Sequence, residues 1–375
     1  MSWMISEIEE RGGRVSFADF MELALYHPEN GYYSDPDPRY GREGDFMTAP
    51  TASSWYGRVM ARFLEELASL TGAVTLVDLA AGDGSFLVTV GEALGENRRK
   101  VLGRVVGVER SPAMRCHAAA RFDNLCHLVA QLDHAEPAVG PVVLHASELF
   151  DAFPVDRVIA GEGGLKELWV AVEDGMLVWE RHPAPSALVS YFMGHGVRLA
   201  AGQVAEINRS AAAIHRAILE WAGSEALVLV LDYGYEARRL YDPRGRAQGS
   251  LACYHRHELS RDPLINPGRL DITAHVNWDD LRLPATDLDW QELGVWPLAE
   301  WLVRAGLPEV AEAHGLGMEA DLDAKTFAAR QEIKRLLDPE GMGSDLKMLI
   351  QGKGRVGERA RAVLTKKAVP EGTAR

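Results

Sequence analysis

The stretch VTLVDLAAGDGSF places an acid, Asp78, at the end of an apolar run, followed by Ala80, Gly82 and Gly84. Glycines at such a point let the backbone turn sharply and let a ligand approach it closely. A helix starting just beyond would aim its free N–H groups into the same space. Three ligands compete for the turn. A phosphate-cradling loop needs Lys followed by Ser or Thr after its glycines, and Gly84 is followed by Ser85-Phe86, so that reading fails. A dinucleotide turn needs G-x-G-x-x-G, which AAGDGSF does not supply. The third ligand is S-adenosylmethionine, for which an acid ends the strand and a Gly-x-Gly follows. On that reading Asp78 receives an ammonium group. The strand RVVGVE should then end in an acid accepting hydrogen bonds from two ribose hydroxyls, and Glu109 stands there, about 25 residues after the glycines. Past the next strand, Gln131 and Asp133 are partners for an adenine amino group. Any one of these acids alone is ordinarily a solvated loop residue; their order along the chain is what carries the reading.

These residues need elements to hold them. From residue 74 a β-α rhythm runs through VTLVDLA (strand), SFLVTVGEAL (helix), GRVVGVE (strand), SPAMRCHAAARF (helix), then the strands LCHLVA and GPVVLHAS. A fifth strand, ALVLVLDYG, follows a helix expected over 203–222. Apolar strands alternating with helical segments imply a parallel sheet covered on both faces. Between the fourth and fifth strands, alternating apolar residues flank Asp174-Gly175 in LKELWVAVEDGMLVWERH, a signal for an inserted antiparallel hairpin. The first seventy residues include GYYSDPDPRYGREGDFMTAP, too rich in Gly and Pro for a regular element and too long for a loop without a binding or covering role. Tyr32 and Tyr33 would either cover the ligand or pack under that loop. Trp55 and Tyr56 fall on an apolar helix stripe and read as core.

The 375 residues suffice for one large domain with insertions or for two. Hydrophobic residues make up 47% and charged residues 25%, ordinary for a globular chain. A net charge of −14 argues against nucleic-acid partners. Cys116, Cys126 and Cys253 are too widely spaced for a metal-ligand pair or a disulfide framework, so no metal is expected. The N-terminus MSWMISEIEE has acids where a signal peptide needs bases. No apolar run reaches the roughly 18 residues of a membrane span. The expectation is a cytoplasmic protein with no membrane partner.

Longer motifs carry a resemblance over nearly the whole chain. FADFMELALYHPENGYYS and GREGDFMTAP, ASELFDAFPVDRV, AEINRSAAAIHRAILEWAGSEALVLVLDYGY, GSLACYHRHELSRDPLINPGRLDITAHVNW and RLLDPEGMGSDLKMLI resemble, in order, motifs of the MidA-type S-adenosylmethionine-dependent methyltransferases. That group includes the mitochondrial complex I assembly arginine methyltransferases. The resemblance implies an α/β fold of class I, a seven-stranded Rossmann-like sheet with an N-terminal helical and loop extension and inserted antiparallel and helical segments. It implies S-adenosyl-L-methionine as cofactor, with Gly44, Asp45, Thr48 and Ser111 added to the cofactor-binding set of Asp78, Ala80, Gly82, Gly84, Glu109, Gln131 and Asp133. The domain division expected is a covering segment over 1–70, a core over 71–365 with insertions at about 160–202 and 240–300 forming a substrate-side subdomain, and a loose tail over 366–375.

There are departures. Ala80 replaces the first glycine of the family turn and fits if φ stays negative there. Thr51 replaces a glutamate and Ser147 an asparagine. RLPATDLDWQELGVWPLAEWL lacks the family's helix at that point.

Methyl transfer from a sulfonium is an in-line displacement that needs an aligned nucleophile and exclusion of water. For an arginine acceptor, paired carboxylates suit the forked N–H donors of the guanidinium. Glu148 and Asp151 end the fourth strand and Asp232 the fifth, beside the expected methyl position. His275 would orient a carboxylate or take up the released proton. Each has a plainer role open to it: Glu148 or Asp151 as a helix cap, Asp232 as an anchor for the neighbouring turn, His275 as a hydrogen-bonded scaffold residue. The function expected is methylation of a protein side chain, arginine by resemblance. The alternatives are a small-molecule N- or O-methyltransferase and a non-catalytic assembly factor that binds a partner protein. A nucleic-acid methyltransferase is disfavoured because HASELFDAFP lacks the Asn/Asp-Pro-Pro-aromatic stretch. The partners expected are a protein or small-molecule acceptor, with room for a homodimer.

Overall fold

The computed structural model describes residues 2–35, 48–122, 126–255, 258–317 and 323–366. Its main sheet has seven strands in line: β1 (Val74–Leu79), β2 (Leu102–Val108), β3 (His127–Val129), β4 (Val142–Ser147), β5 (Ala226–Tyr235), β6 (Gln291–Pro297) and β7 (Leu346–Lys353). Their order across the sheet is β3-β2-β1-β4-β5-β7-β6. The pairs from β3 to β5 are parallel, and β7 runs antiparallel to both its neighbours. This is the seven-stranded sheet that the resemblance implies. A two-residue strand, Val276–Asn277, pairs beside the end of β5.

Both faces are covered, which is why the strands read as unbroken apolar runs. Leu227, Leu229 and Leu231 face a cluster that includes residues of the helices Ser54–Thr71, Ser85–Leu94 and Gly354–Lys366. The alternate residues Val228 and Val230 face the helices Ala211–Ala222 and Trp278–Asp287. Trp55 and Tyr56 are buried in the first of these clusters, as their stripe predicts.

A second, antiparallel sheet joins Asp156–Gly161, Gly164–Glu173, Met176–Pro183, Val204–Ile207 and, from the N-terminal segment, Arg14–Ser16. Its hairpin turns at Asp174-Gly175, with φ of 49° and 72°. Two successive left-handed residues give the twist that a two-residue hairpin turn requires. A three-stranded sheet of Ala252–His255, Glu258–Ser260 and Asp271–Thr273 lies further along the chain.

Two expectations about elements are corrected. The helix expected over 203–222 is a strand, Val204–Ile207, then a helix, Ala211–Ala222. Val204–Ile207 is wholly buried and pairs with Asp156–Ile159; this pairing overrides the local helical pattern, and the Asn208 Oδ1 turn on Ser210 separates the two elements. The stretch read as lacking a helix holds the end of Trp278–Asp287, capped by Asn277, and the start of Leu298–Ala305. Pro284 looks like a breaker but lies inside the first of these helices.

Candidate functional site

The order of the main sheet reverses at β1 and β4, and a crevice opens at the C-terminal ends of strands where such a reversal occurs. A cavity of about 1150 Å³ lies there. Thr48, Asp78, Ala80, Gly82, Glu109, Ser111, Gln131, Asp133, Glu148, Asp151 and His275 all line it. Gly84 and Asp232 do not. Gly44 and Asp45 lie outside the described residues, as do 36–47 of the expected covering segment and nearly all of the C-terminal tail.

One side of the cavity is built on the glycine turn. Gly84 has φ 79°, and a Cβ there would meet the Phe122 ring at 2.6 Å; only glycine lets the helix Pro112–Arg121 pack so closely. Glu109 accepts the Gly82 N–H at 2.9 Å on one carboxylate oxygen and the Ser111 N–H at 2.7 Å on the other. These bonds fix the carboxylate and leave each oxygen a further lone pair. Burial raises its carboxyl, against the pull of the two N–H donors. An open glycine turn beside a fixed carboxylate fits a nucleoside with two adjacent hydroxyls. Gln131 and Asp133 are exposed on the cavity wall.

Ala80 has φ 58°, so the condition of a negative φ is not met. An L-residue in this region costs about 1 kcal/mol, held here by the surrounding turn. Ala80→Gly is expected to stabilise the fold by a net of up to about 0.5 kcal/mol, the strain relieved less the entropy that glycine adds to the unfolded chain. Urea midpoints would read the gain; an unchanged or lower midpoint would show that the turn is unstrained.

Asp78 is engaged by a residue that sequence reasoning missed. Its Oδ1 lies 2.7 Å from His145 Nδ1, and His145 Nε2 lies 2.7 Å from the Tyr56 hydroxyl. All three side chains are buried. Burial raises the Asp78 carboxyl and His145 opposes it. The one signal was a histidine inside the otherwise apolar strand PVVLHA.

Thr48 caps the short helix Ala49–Ala52, and Thr51, in place of the family's glutamate, completes a reciprocal cap: Thr48 N–H donates to Thr51 Oγ1 at 3.0 Å and Thr51 N–H to Thr48 Oγ1 at 3.4 Å. Ser111 caps the helix Pro112–Arg121 and donates to the Tyr33 carbonyl at 2.7 Å. Its hydroxyl thus ties the N-terminal segment to the cavity rim. Tyr32 is buried in the core of that segment, while Tyr33 faces the cavity.

The other side of the cavity is a nest of carboxyls. Glu148, Asp151 and Asp271 line it together with Tyr33, Tyr233 and Tyr254. Burial raises the carboxyls of Glu148 and Asp151 well above the usual range, and the neighbouring acids raise them further. Glu148 takes a backbone N–H from Ala49, yet its buried Oε1 has no partner. Its φ is 52°, a second strained residue at a strand end. Asp271 accepts the Tyr33 hydroxyl at 2.7 Å. No local spacing in the sequence pointed to Asp271, which arrives from the three-stranded sheet.

Asp232 is fully buried behind this wall. Its oxygens accept N–H groups of Phe150 at 2.9 Å and Tyr233 at 2.8 Å, with Asp151 and Leu149 N–H also bonded to it. Burial pushes its carboxyl up to about 7 against those donors. The geometry makes it an anchor for the turn after β4. His275 receives an N–H from Arg246 on Nδ1 at 3.2 Å, so its proton sits on Nε2. Burial and the nearby Arg246 and Lys347 push it down to about 3. It is neutral and a poor proton acceptor.

Among the described residues no group of His, Cys, Asp or Glu is arranged to hold a metal ion, and no helix is long and apolar enough to cross a membrane.

The model of a family of S-adenosyl-L-methionine-dependent methyltransferases matches residues 56–295. A Drosophila melanogaster relative, protein arginine methyltransferase NDUFAF7 homolog, mitochondrial, is 26% identical over 302 residues, covering 72% of this chain and 66% of that protein. The Bos taurus protein arginine methyltransferase NDUFAF7, mitochondrial, is 36% identical over 308 residues, covering 72% and 65%. The chain thus aligns with about two thirds of these relatives' length. A solved Burkholderia thailandensis protein, a methyl transferase candidate bound to S-adenosyl-homocysteine, superposes with a TM-score of 0.80 at 26% identity, over 94% of this chain and 91% of that one. The named relatives are mitochondrial, which overturns the cytoplasmic placement expected from the N-terminal sequence.

Proposed function

As a member of the family of S-adenosyl-L-methionine-dependent methyltransferases, to which this chain belongs, the protein uses S-adenosylmethionine, and we propose that its acceptor is the guanidinium of a protein arginine. The observation that carries this reading is the carboxyl nest with an unpartnered, buried Glu148 Oε1. Glu148 and Asp151 are buried side by side with raised carboxyls, and a guanidinium supplies both a counter-charge and forked donors. The relatives named as protein arginine methyltransferases support the same acceptor.

S-adenosylmethionine supplies a methyl group on an electrophilic sulfonium. Gly82 and Glu109 would hold its nucleoside, on a turn that Gly84 allows, with Gln131 and Asp133 beside the base and Asp78, oriented by His145, toward its ammonium. Glu148 and Asp151 accept N–H bonds from the guanidinium and turn one nitrogen toward the methyl. When that nitrogen gains the methyl it must shed a proton. The raised carboxyls have the basicity to take it, and His275, neutral with Nδ1 engaged, does not. Asp271 and Tyr33 close the wall from the N-terminal side and keep water out.

The test is mass spectrometry of arginine-containing protein extracts after incubation with the full-length chain and isotopically labelled S-adenosylmethionine. Labelled methylarginine is the expected product. Label found only in small molecules would replace the acceptor with a metabolite. Binding of S-adenosylhomocysteine without incorporation of label anywhere would point to the non-catalytic assembly role.

A further inference from the structure

Three cations gather on one aromatic ring next to the carboxyl nest. Lys347 Nζ lies 3.6 Å from the Tyr235 ring centre, and the guanidinium carbons of Arg239 and Arg246 lie 4.3 and 5.3 Å from it. Among the described residues none of the three forms an ion pair, whereas Arg157, Arg209 and Arg282 are all paired with acids. In a chain with 54 acidic and 40 basic residues, three like charges held together repel each other, and among the described residues none has an acid paired to it. Glu236 and Asp345 act on Lys347 from a distance, but Glu236 is bridged to Arg282. Lys347 spends one donor on the Gly234 carbonyl at 2.8 Å, and Arg246 one on His275, so most of their N–H groups stay open. Burial and Arg239 push the Lys347 amine down to about 8, against the pull of Glu236 and Asp345.

The cluster borders the cavity. The His275 ring, which lines the cavity, stacks against both Tyr233 and Tyr235, with centres 6.1 and 5.8 Å apart. Tyr233 faces the carboxyl nest. Tyr235 is two residues further along β5, about 7 Å in an extended chain. A peptide laid along this rim in extended form advances by the same amount over two residues.

Resting on the protein-arginine reading, we propose that Arg239, Arg246 and Lys347 bind a carboxylate side chain of the acceptor polypeptide two residues from its target arginine. The nest then takes the cation and the cluster takes the anion, so the acceptor is chosen by a charge pattern as well as by its arginine.

The experiment uses the full-length chain with S-adenosylhomocysteine and fluorescent peptides read by anisotropy. One peptide has arginine with glutamate at both positions two residues away, a second has glutamine there, and a third keeps the glutamates but replaces the arginine with glutamine. The glutamate peptide is expected to bind about tenfold more tightly than the glutamine peptide, with the gain lost at high salt and in Arg239→Glu. Arg239 is exposed, so the change leaves the core packing untouched, and an unchanged urea midpoint checks the fold. A matching peptide with lysine at the flanking positions should bind Arg239→Glu better than it binds the native chain. Equal affinity for glutamate and glutamine peptides, or a gain that survives Arg239→Glu, overturns the proposal. If the arginine-free glutamate peptide binds as tightly as its parent, the cationic cluster stands and the arginine acceptor falls.

Discussion

Glu148→Gln is expected to slow methyl transfer by about two orders of magnitude while leaving the affinity for S-adenosylhomocysteine and the unfolding midpoint nearly unchanged. The split follows from the state of the free site. Burial and the neighbouring acids raise the Glu148 carboxyl, which favours its neutral form in the absence of acceptor, and glutamine matches a neutral acid in size. Folding therefore loses little. The reaction loses more, since a cationic nucleophile needs the carboxylate for alignment and for proton uptake. Loss of a charge-assisted contact felt mainly in the transition state is worth about 2–3 kcal/mol, roughly a hundredfold in rate. Single-turnover rates with a methylatable peptide and calorimetry with S-adenosylhomocysteine measure the two sides. If Glu148→Gln turned over normally and Asp151→Asn did not, Asp151 is the group that matters; normal turnover in both would end the carboxylate mechanism.

Asp232→Ala is expected to destabilise the protein by about 2–4 kcal/mol and to abolish activity with it. The side chain collects backbone N–H groups from Leu149, Phe150, Asp151 and Tyr233. An alanine leaves them buried and unsatisfied, at roughly 1–3 kcal/mol for each that water cannot reach. These bonds also hold the turn that keeps Glu148 at φ 52°, a conformation that persists only where its surroundings over-determine it. Asp232→Asn keeps an acceptor on one side but sets an NH2 against an N–H on the other, so it should fall between. Urea unfolding of the three forms is the measurement. A midpoint for Asp232→Ala close to that of the native chain would mean that the turn is held by its other contacts.

The sheet was legible in the sequence because it depends on local order, and so was the gathering of Asp78, Gly82 and Glu109 on one cavity wall. An unbroken apolar run marks a strand buried on both faces. Asp78, the glycines and Glu109 fall at fixed places relative to two such strands, and chain order alone puts them at the same sheet edge. The Asp174-Gly175 hairpin was legible for the same reason. Val204–Ile207 was not, since its strand form comes from Asp156–Ile159, some fifty residues away. The acceptor end is long-range throughout. Asp271 reaches the nest through its bond to Tyr33, across 238 residues. His145 meets Asp78 only because β1 and β4 are neighbours. Asp232 and His275 carry residue types that suit catalysis, and their sequence positions beside the site are real. Burial gave one four backbone donors and set the other against an arginine. Local order along the chain was enough for strands β1 to β5, the glycine turn and the acids at the strand ends. Tertiary structure alone decided which carboxyls keep an open oxygen and which are spent on the backbone, because hydrogen-bond satisfaction and desolvation depend on what packs around a group rather than on its chain neighbours.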